Sequence, residues 1–254
     1  MKITNRTDTV LISGPDAGPD AGSDTRLLLP SCLVLLLYIL ATITTPANAS
    51  GWSGGVEGGT VVSDAGSQTR LRFNLSNNTR PLTHHLYLEW LRGQDGMDGY
   101  AVGYNPRFWI TNTYYFFGES RLRTDEVFAI DREISLLAGV GGQLIESSTQ
   151  ALSAEIGLGS RQIEFEMQDE AESQGFGLAR LAYYRIFSDL IKFDLDISGV
   201  VAEDDVSEYN GEAGISMRVP SGAIRYAYRT RTLKIGDNDS VTNSDSFVSF
   251  TYSF

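Results

Sequence analysis

Two adjacent histidines, His84 and His85, are the only histidines in the chain and the first candidates for catalysis or metal binding. Neighbouring residues of a β-strand point to opposite faces, so this pair cannot hold one metal ion from a single strand. A lipid hydrolase or acyltransferase would need a serine close to a histidine on the same face, but the same-face neighbours are Leu82, Leu86, Thr83 and Tyr87. We therefore predict no catalytic residue. A lipid-modifying membrane enzyme is the alternative, because a histidine could still contact a serine from another strand.

Two further motifs resemble binding loops but lack essential residues. The tract Gly139-Val140-Gly141-Gly142 has neither the lysine of a phosphate-binding loop nor the third glycine of the dinucleotide fingerprint. Glycines in a strand more simply permit close packing or bending. The tract Asp237-Asn238-Asp239 lacks the glycine and glutamate that a calcium loop needs at its sixth and twelfth positions. We predict no cofactor and no metal site.

The overall charge excludes another class of partner. The chain has 32 acidic and 20 basic residues, with a formal net charge of −12. Binding to nucleic acid needs a surplus of lysine and arginine, so we expect no nucleic-acid partner. The single cysteine, Cys32, excludes an intramolecular disulfide framework. The sequence indicates no oligomeric state.

The residues after position 50 alternate between apolar and polar with a period of two, which is typical of β-strands. In the segment from Leu190 to Val201, the apolar Ile191, Phe193, Leu195 and Ile197 oppose Lys192, Asp194, Asp196 and Ser198. Turn-forming clusters divide the chain into about twelve such segments, near 51–62, 68–78, 82–92, 99–110, 113–123, 133–145, 149–162, 175–187, 190–201, 207–218, 222–234 and 245–254. In the segment 175–187, we expect a bulge or a misregister, because Arg180 and Arg185 fall on opposite faces.

The length of these segments predicts a membrane barrel. Strands of soluble proteins average about five or six residues, whereas a tilted strand that crosses a bilayer needs about nine to eleven. Short links alternate with longer polar links at 92–99, 124–133, 167–174, 202–208 and 235–245, as expected for periplasmic turns and surface loops. We predict an all-β, antiparallel, up-and-down transmembrane β-barrel with about twelve strands and with both termini in the periplasm. A soluble periplasmic β-barrel or sandwich that binds a ligand is the alternative, because alternation alone does not distinguish the two.

In a membrane barrel the apolar faces meet lipid and the charged faces line the lumen. The charges predicted to line it are Arg70, Arg72, Arg121, Arg123, Glu155, Asp194, Asp196, Glu212, Arg218, Arg225 and Arg229. Buried charges must be paired or hydrated, so they either plug the barrel with salt bridges or line a small aqueous channel. No link is long enough to be an obvious constriction loop, and we favour a narrow or closed lumen.

Acidic residues are concentrated in the longer links, on the predicted outer side. They could bind divalent cations that bridge to lipopolysaccharide phosphates, although plain solvation is the simpler interpretation. This set comprises Asp95, Asp98, Asp125, Glu126, Asp169, Glu170, Glu172, Glu203, Asp204, Asp205, Asp237 and Asp239.

The first fifty residues predict export from the cytoplasm. An apolar stretch runs from Leu27 to Thr45, with Arg26 before it and Ala47-Asn48-Ala49 after it. This order is typical of a secretory signal cleaved after Ala49. We assign residues 1–49 to a signal peptide with an atypical, acidic leader, and residues 50–254 to the outer-membrane barrel domain. An uncleaved anchor is the alternative.

The last strand carries the most specific pattern. Phe250, Tyr252 and Phe254 fall on one face because the side chains of a strand alternate. This ending resembles the sorting signal of bacterial outer-membrane barrels, which the barrel-assembly machinery binds as an added strand. It implies that machinery, outer-membrane lipid and lipopolysaccharide as partners.

Three tracts together resemble the salt-induced outer-membrane protein family, domain-of-unknown-function family 481. They are GWSGGVEGG at 51–59, YYFFGESRLRTDEVFAIDREISLLAGVGGQLIES at 114–147 and the ending FVSFTYSF. The resemblance implies a Gram-negative outer-membrane barrel and brings no reaction or catalytic residue. We expect a protein that is not an enzyme, with an envelope structural, stress-related or small-solute passage role.

Overall fold

The computed structural model describes residues 51–254 except 64–65, 94–97, 167–170, 203–205 and 236–238. The predicted signal peptide, 1–49, lies outside the described residues. No helix in the described ranges is both long and apolar enough to cross a bilayer.

Twelve antiparallel strands form one closed barrel, in which each strand pairs with the next and β12 pairs with β1. The predicted up-and-down barrel of twelve strands is confirmed. The strands are β1 Trp52–Ser63, β2 Gly66–Asn77, β3 Leu82–Gly93, β4 Asp98–Trp109, β5 Tyr114–Asp125, β6 Ile130–Glu146, β7 Gln150–Phe165, β8 Glu172–Ile186, β9 Ile191–Ala202, β10 Val206–Val219, β11 Gly222–Ile235 and β12 Asp239–Ser253.

The barrel is apolar outside and largely polar inside. On β7, the outward Ile156 and Leu158 are 62% and 76% exposed, whereas the inward Glu155 and Arg161 are 3% and 2% exposed. A soluble barrel would bury the apolar row and expose the charges. The observed arrangement is the one a lipid-facing barrel requires.

Several strands are longer than predicted, and the links between them are correspondingly shorter. The predicted loop 124–133 consists mainly of the end of β5, a single turn of 3-10 helix at Glu126–Phe128, and the start of β6. Asp125, predicted to lie in an outer acidic loop, is instead 7% exposed and faces the lumen. The prediction failed there because an inward polar residue of a barrel strand resembles a loop residue in composition.

The other acidic link residues divide between strands and undescribed positions. Asp98, Glu172 and Asp239 lie in strands, and Glu126 is exposed in the 3-10 turn. Seven of the predicted acidic residues lie outside the described part of the chain, namely Asp95, Asp169, Glu170, Glu203, Asp204, Asp205 and Asp237.

The irregularities of the barrel lie on β6. Its pairing shifts register against β5 between Arg123 and Asp125, and against β7 near both ends. The bulge predicted in the segment 175–187 is wrong, because β8 pairs in continuous register with β7 and β9. Arg180 and Arg185 are five residues apart, and an odd spacing places them on opposite faces of a regular strand.

An apolar cluster fills one side of the lumen. It includes Tyr115 and Phe117 of β5, Phe176 and Leu178 of β8, and Phe128 from the 3-10 turn. Although this turn is too short to be a constriction loop, it places the Phe128 ring inside the barrel at 6% exposure. The cluster leaves only part of the cross-section to polar groups.

The glycine tract of β6 accommodates this cluster. A Cβ atom at Gly139 would lie 2.7 Å from Cε1 of Phe117, and one at Gly141 would lie 2.5 Å from Cε2 of Tyr115. The aromatic rings therefore lie flat against backbone that carries no side chain. Close packing, rather than phosphate binding, accounts for these glycines.

Candidate functional site

The candidate site is the network of charged side chains in the lumen. We call the end of the barrel where β1 begins and β12 ends the terminal end, and the other end the loop end. The links 110–113, 147–149, 187–190 and 220–221 belong to the terminal end.

Buried ion pairs cross the lumen in the half nearer the loop end. Arg123 of β5 contacts Glu208 of β10 at 2.6 Å and Glu133 of the adjacent β6 at 2.8 Å. Arg231 of β11 contacts Asp125 of β5 at 2.5 Å. Because β5 and β11 are six strands apart in a ring of twelve, this pair joins opposite walls.

A second group of charges surrounds Glu89 of β3. Its carboxylate contacts Arg72 at 2.7 Å, Arg70 at 2.9 Å and Arg229 at 3.3 Å. Arg229 comes from β11, which lies four strands from β3 around the barrel. The Glu89 carboxylate therefore holds three guanidinium groups, two from β2 and one from β11, which lie on opposite sides of the β1–β12 pair.

A third group lies in the half nearer the terminal end. Glu155 accepts hydrogen bonds from Arg180 at 3.1 Å and from the Tyr115 hydroxyl at 2.9 Å, and it pairs with Arg107 at 2.8 Å. Arg180 also contacts Glu119 at 3.0 Å. The pairs Arg107–Glu155 and Arg180–Glu119 each join strands that are three apart, so this group crosses part of the lumen without reaching the opposite wall.

Water reaches the two halves unequally. The side chains of Glu133 and Glu208 near the loop end are 0% and 4% exposed, whereas those of Arg107 and Asp194 nearer the terminal end are 34% and 26% exposed. The lumen is thus open to water at the terminal end and filled by paired charges towards the loop end.

A cavity of about 450 Å³ remains among these charges. Its lining contains equal numbers of the two signs, seven arginines and seven carboxylates. They are Arg72, Arg107, Arg121, Arg123, Arg180, Arg229 and Arg231, with Glu89, Glu119, Asp125, Glu155, Asp196, Glu208 and Glu212. Such a lining favours neither anions nor cations by its total charge.

The structure brings most of the predicted lumen residues into this network. Arg70, Arg72, Arg121, Arg123, Glu155, Asp194, Glu212, Arg225 and Arg229 all form ion pairs, including contacts of Arg225 with Asp194 and Glu212. Asp196 lines the cavity but makes no ion pair with a described residue. Arg218 lies exposed at the terminal end of β10.

Sequence reasoning did not identify the partners of these residues. Glu89, Glu133, Glu208 and Asp245 are carboxylates that hold predicted arginines. Arg107, Arg180 and Arg231 are further lumen cations. Strand alternation gave a usable signal, since Arg231 follows Arg229 at the period of two.

Arg161 is a special case among the buried cations. Its guanidinium donates to Oε1 of Gln174 at 3.1 and 3.2 Å and to the Val206 carbonyl at 3.5 Å. The side chain is 2% exposed and contacts no carboxylate of a described residue within 4 Å. Amide and carbonyl oxygens therefore hold this charge in place of an ion pair.

The histidines are separated by the barrel wall. His84 faces outward, where its Nδ1 lies 2.7 Å from the Tyr104 hydroxyl and its ring stacks on Trp52. His85 lines the cavity. Within the described residues, neither histidine is hydrogen-bonded to a serine, and no group of three or more His, Cys, Asp or Glu residues is placed to hold a metal ion.

Comparison with known proteins decides the family. Residues 60–254 match the family described as "Protein of unknown function, DUF481". The chain belongs to this family. The resemblance carried by the three tracts in the sequence is thereby confirmed, and its middle tract forms β5, the 3-10 turn and all of β6.

One curated relative is "Uncharacterized protein YdiY" of Escherichia coli (strain K12), which is 29% identical over 120 residues. The match covers 47% of this chain and 46% of YdiY, so it spans about half the length of that relative.

Two solved porin structures share the fold. The NanC porin has a TM-score of 0.53 at 6% identity, covering 78% of this chain and 98% of its own. The KdgM porin has a TM-score of 0.51 at 8% identity, covering 79% of this chain and 99% of its own. This likeness shows an outer-membrane type of β-barrel.

The three aromatic residues at the end of the chain lie on the outer face. Phe250, Tyr252 and Phe254 are 42%, 52% and 48% exposed. Phe254 exchanges two backbone hydrogen bonds of 3.0 Å with Gly54, and its ring stacks on Phe73. These contacts attach the end of the chain to β1 and β2.

Proposed function

We propose that this protein is a non-enzymatic outer-membrane β-barrel whose lumen is closed at rest and whose role is structural in the envelope. The observation that supports it is the layer of buried ion pairs across the lumen near the loop end, Arg123 with Glu208 and Arg231 with Asp125.

The energetics of this layer favour a closed state. A solute that passes must separate charges that are almost completely buried. Breaking one buried pair costs roughly 3–5 kcal/mol, because it leaves an uncompensated charge behind. The apolar cluster around Phe128 and Leu233 further reduces the cross-section that is left for a solute.

We further propose a Gram-negative outer membrane as the location, with both termini in the periplasm. The outward apolar rows would contact membrane lipid, and the loop end would contact lipopolysaccharide. Phe250, Tyr252 and Phe254 would bind the barrel-assembly machinery before β12 closes against β1. The outward position of all three aromatic side chains supports this role.

Single-channel recording in planar bilayers tests the closed lumen. We expect the wild-type protein to show no conductance and the double variant Arg123→Ala with Glu208→Ala to conduct, since this removes a bond between the walls while Glu133 keeps Arg121 at 2.7 Å. The matched control is Arg132→Ala with Glu164→Ala, which removes a pair at 55% and 28% exposure. Steady conductance by the wild type would refute the proposal.

A second candidate, passage of small solutes, is favoured by the cavity of about 450 Å³. It predicts the opposite wild-type result in the same recording, namely an open channel without substitution. An enzymatic role has less support, because His84 is bonded to Tyr104 on the lipid-facing surface and His85 lies among arginines in the lumen.

A further inference from the structure

Three inward charged residues in the half nearer the terminal end take no part in the ion-pair network of the described residues. Asp196 and Lys192 of β9 and Arg218 of β10 make no ion pair within 4 Å in the described part of the chain. All three are exposed to water. We propose that they form a binding site for a short zwitterionic peptide, or a compound with a similarly wide separation between its ammonium and carboxylate groups.

The order of these charges along the lumen defines the ligand. Asp196 lines the cavity, whereas Lys192 lies four residues nearer the terminal end on the same inward row. Four residues of a strand span about 13 Å. Arg218 of the neighbouring strand lies one inward position nearer the mouth than Lys192, because Ser216 pairs with Lys192 and the Arg218 backbone N–H donates to the Leu190 carbonyl at 2.8 Å. A carboxylate therefore lies inside and two cations lie at the mouth.

This order matches the two ends of an extended peptide. A peptide that enters with its amino end first would place the ammonium on Asp196 and the terminal carboxylate near Lys192 and Arg218. Three extended residues span about 10 Å, and charge-assisted hydrogen bonds add about 3 Å at each end. A single amino acid is too short to reach both poles.

The charges between the two poles do not compete for the ligand. Asp194, the inward residue between Lys192 and Asp196, is paired with Arg225. The charges that line the cavity are balanced when Asp196 is counted among them, so an anion or a cation alone gains from only one pole. Ser153 and Ser198 of the lining can hydrogen-bond to a peptide backbone.

Lys192 also contacts an aromatic ring. Its Nζ lies 5.0 Å from the centre of the Tyr184 ring, a cation–π contact that leaves the other side of the ammonium free. A cation held in this way loses less side-chain freedom when it binds a carboxylate.

Isothermal titration of the refolded protein in detergent micelles with tri-alanine tests the site. We expect tri-alanine to bind at least ten times more tightly than alanine, glutarate, 1,5-diaminopentane or tri-alanine blocked at both ends. Asp196→Asn should weaken tri-alanine binding at least tenfold and leave the blocked peptide unchanged. Arg185→Gln, which removes an outward charge near the same end, is the matched control and should change nothing.

Heat-dependent gel migration checks that each variant folds. If Asp196→Asn does not fold, the double variant Lys192→Gln with Arg218→Gln tests the opposite pole and should give the same tenfold loss. Absence of tri-alanine binding to the wild type, equal binding of the blocked peptide, or unchanged binding in the pole variants would each refute the site. The closed lumen is tested separately by conductance, so either proposal can fail alone.

Discussion

At the scale of single residues, Glu208 shows what a carboxylate contributes inside this barrel. It accepts two hydrogen bonds from Arg123, at 2.9 and 2.6 Å, and a third from the Asn210 amide at 3.1 Å. Arg123 belongs to β5 and Glu208 to β10, so the bidentate pair holds two distant strands at a fixed separation. The pair therefore supports the shape of the barrel, in addition to the closure of the lumen that we propose.

Replacement of this carboxylate by the neutral amide of the same size should destabilise the barrel. We expect Glu208→Gln to lower the free energy of unfolding by roughly 3 kcal/mol, because Arg123 loses half of its charge compensation in a buried place. Urea unfolding in lipid vesicles measures the effect.

The control for this change is Glu164→Gln. Its carboxylate pairs with the 55% exposed Arg132, and exposed pairs contribute about 0–1 kcal/mol. Equal losses of unfolding free energy in Glu208→Gln and Glu164→Gln would show that burial of the ion pair in the lumen does not increase its contribution to stability.

At the scale of strands, closure of the barrel depends on how closely β1 approaches β12. A Cβ atom at Gly59 would lie 2.2 Å from the Val248 carbonyl oxygen and 2.7 Å from the Ser249 Cα. Both are backbone atoms, so β12 would have to move. Across the same seam, the Ser249 hydroxyl donates to Glu57 at 2.5 Å.

We predict that Gly59→Ala weakens the seam by about 1–3 kcal/mol, the usual cost of overpacking. The melting temperature in heat-dependent gel migration should fall. Gly58→Ala is the matched control, because a Cβ there would meet only the Leu71 side chain at 3.8 Å. A fall of the same size at Gly58 would indicate a general cost of losing glycine in β1.

Strand number and facing could be predicted from the sequence, but strand ends and ion-pair partners could not. Alternation identified Arg70, Arg123 and Arg229 as inward residues, and the structure places them there. Glu133 and Glu208, at the edges of predicted segments, were not identified, because an inward carboxylate near a strand end has the same composition as a loop. Asp196 was predicted to face the lumen, but its lack of an ion-pair partner among the described residues depends on long-range geometry that alternation does not encode.

At the scale of the whole molecule, two kinds of interior share one barrel. An apolar cluster contributed mainly by β5–β10 fills space as the core of a soluble protein would, and a balanced set of charges from β2–β5 and β7–β11 occupies the rest of the lumen. Among the described residues, the lumen is more open to water at the terminal end and more densely filled by buried ion pairs towards the loop end.

The orientation of the barrel determines which side of the membrane the water-accessible half of the lumen faces. If both termini lie in the periplasm, the open half faces the periplasm and the loop end faces the exterior. Because Cys32 is the only cysteine of the chain, a cysteine introduced into the barrel can be labelled selectively once the predicted signal peptide is removed. We expect Glu166→Cys, after β7, to react with an impermeant maleimide on intact cells.

Ser221→Cys, in the link between β10 and β11, is its counterpart at the terminal end and is equally exposed to water. It should react only after the outer membrane is permeabilised, because the bilayer then no longer shields the periplasm from the reagent. The reverse pattern would place the open half on the cell surface, where its leftover charges Lys192, Asp196 and Arg218 would meet solutes from outside.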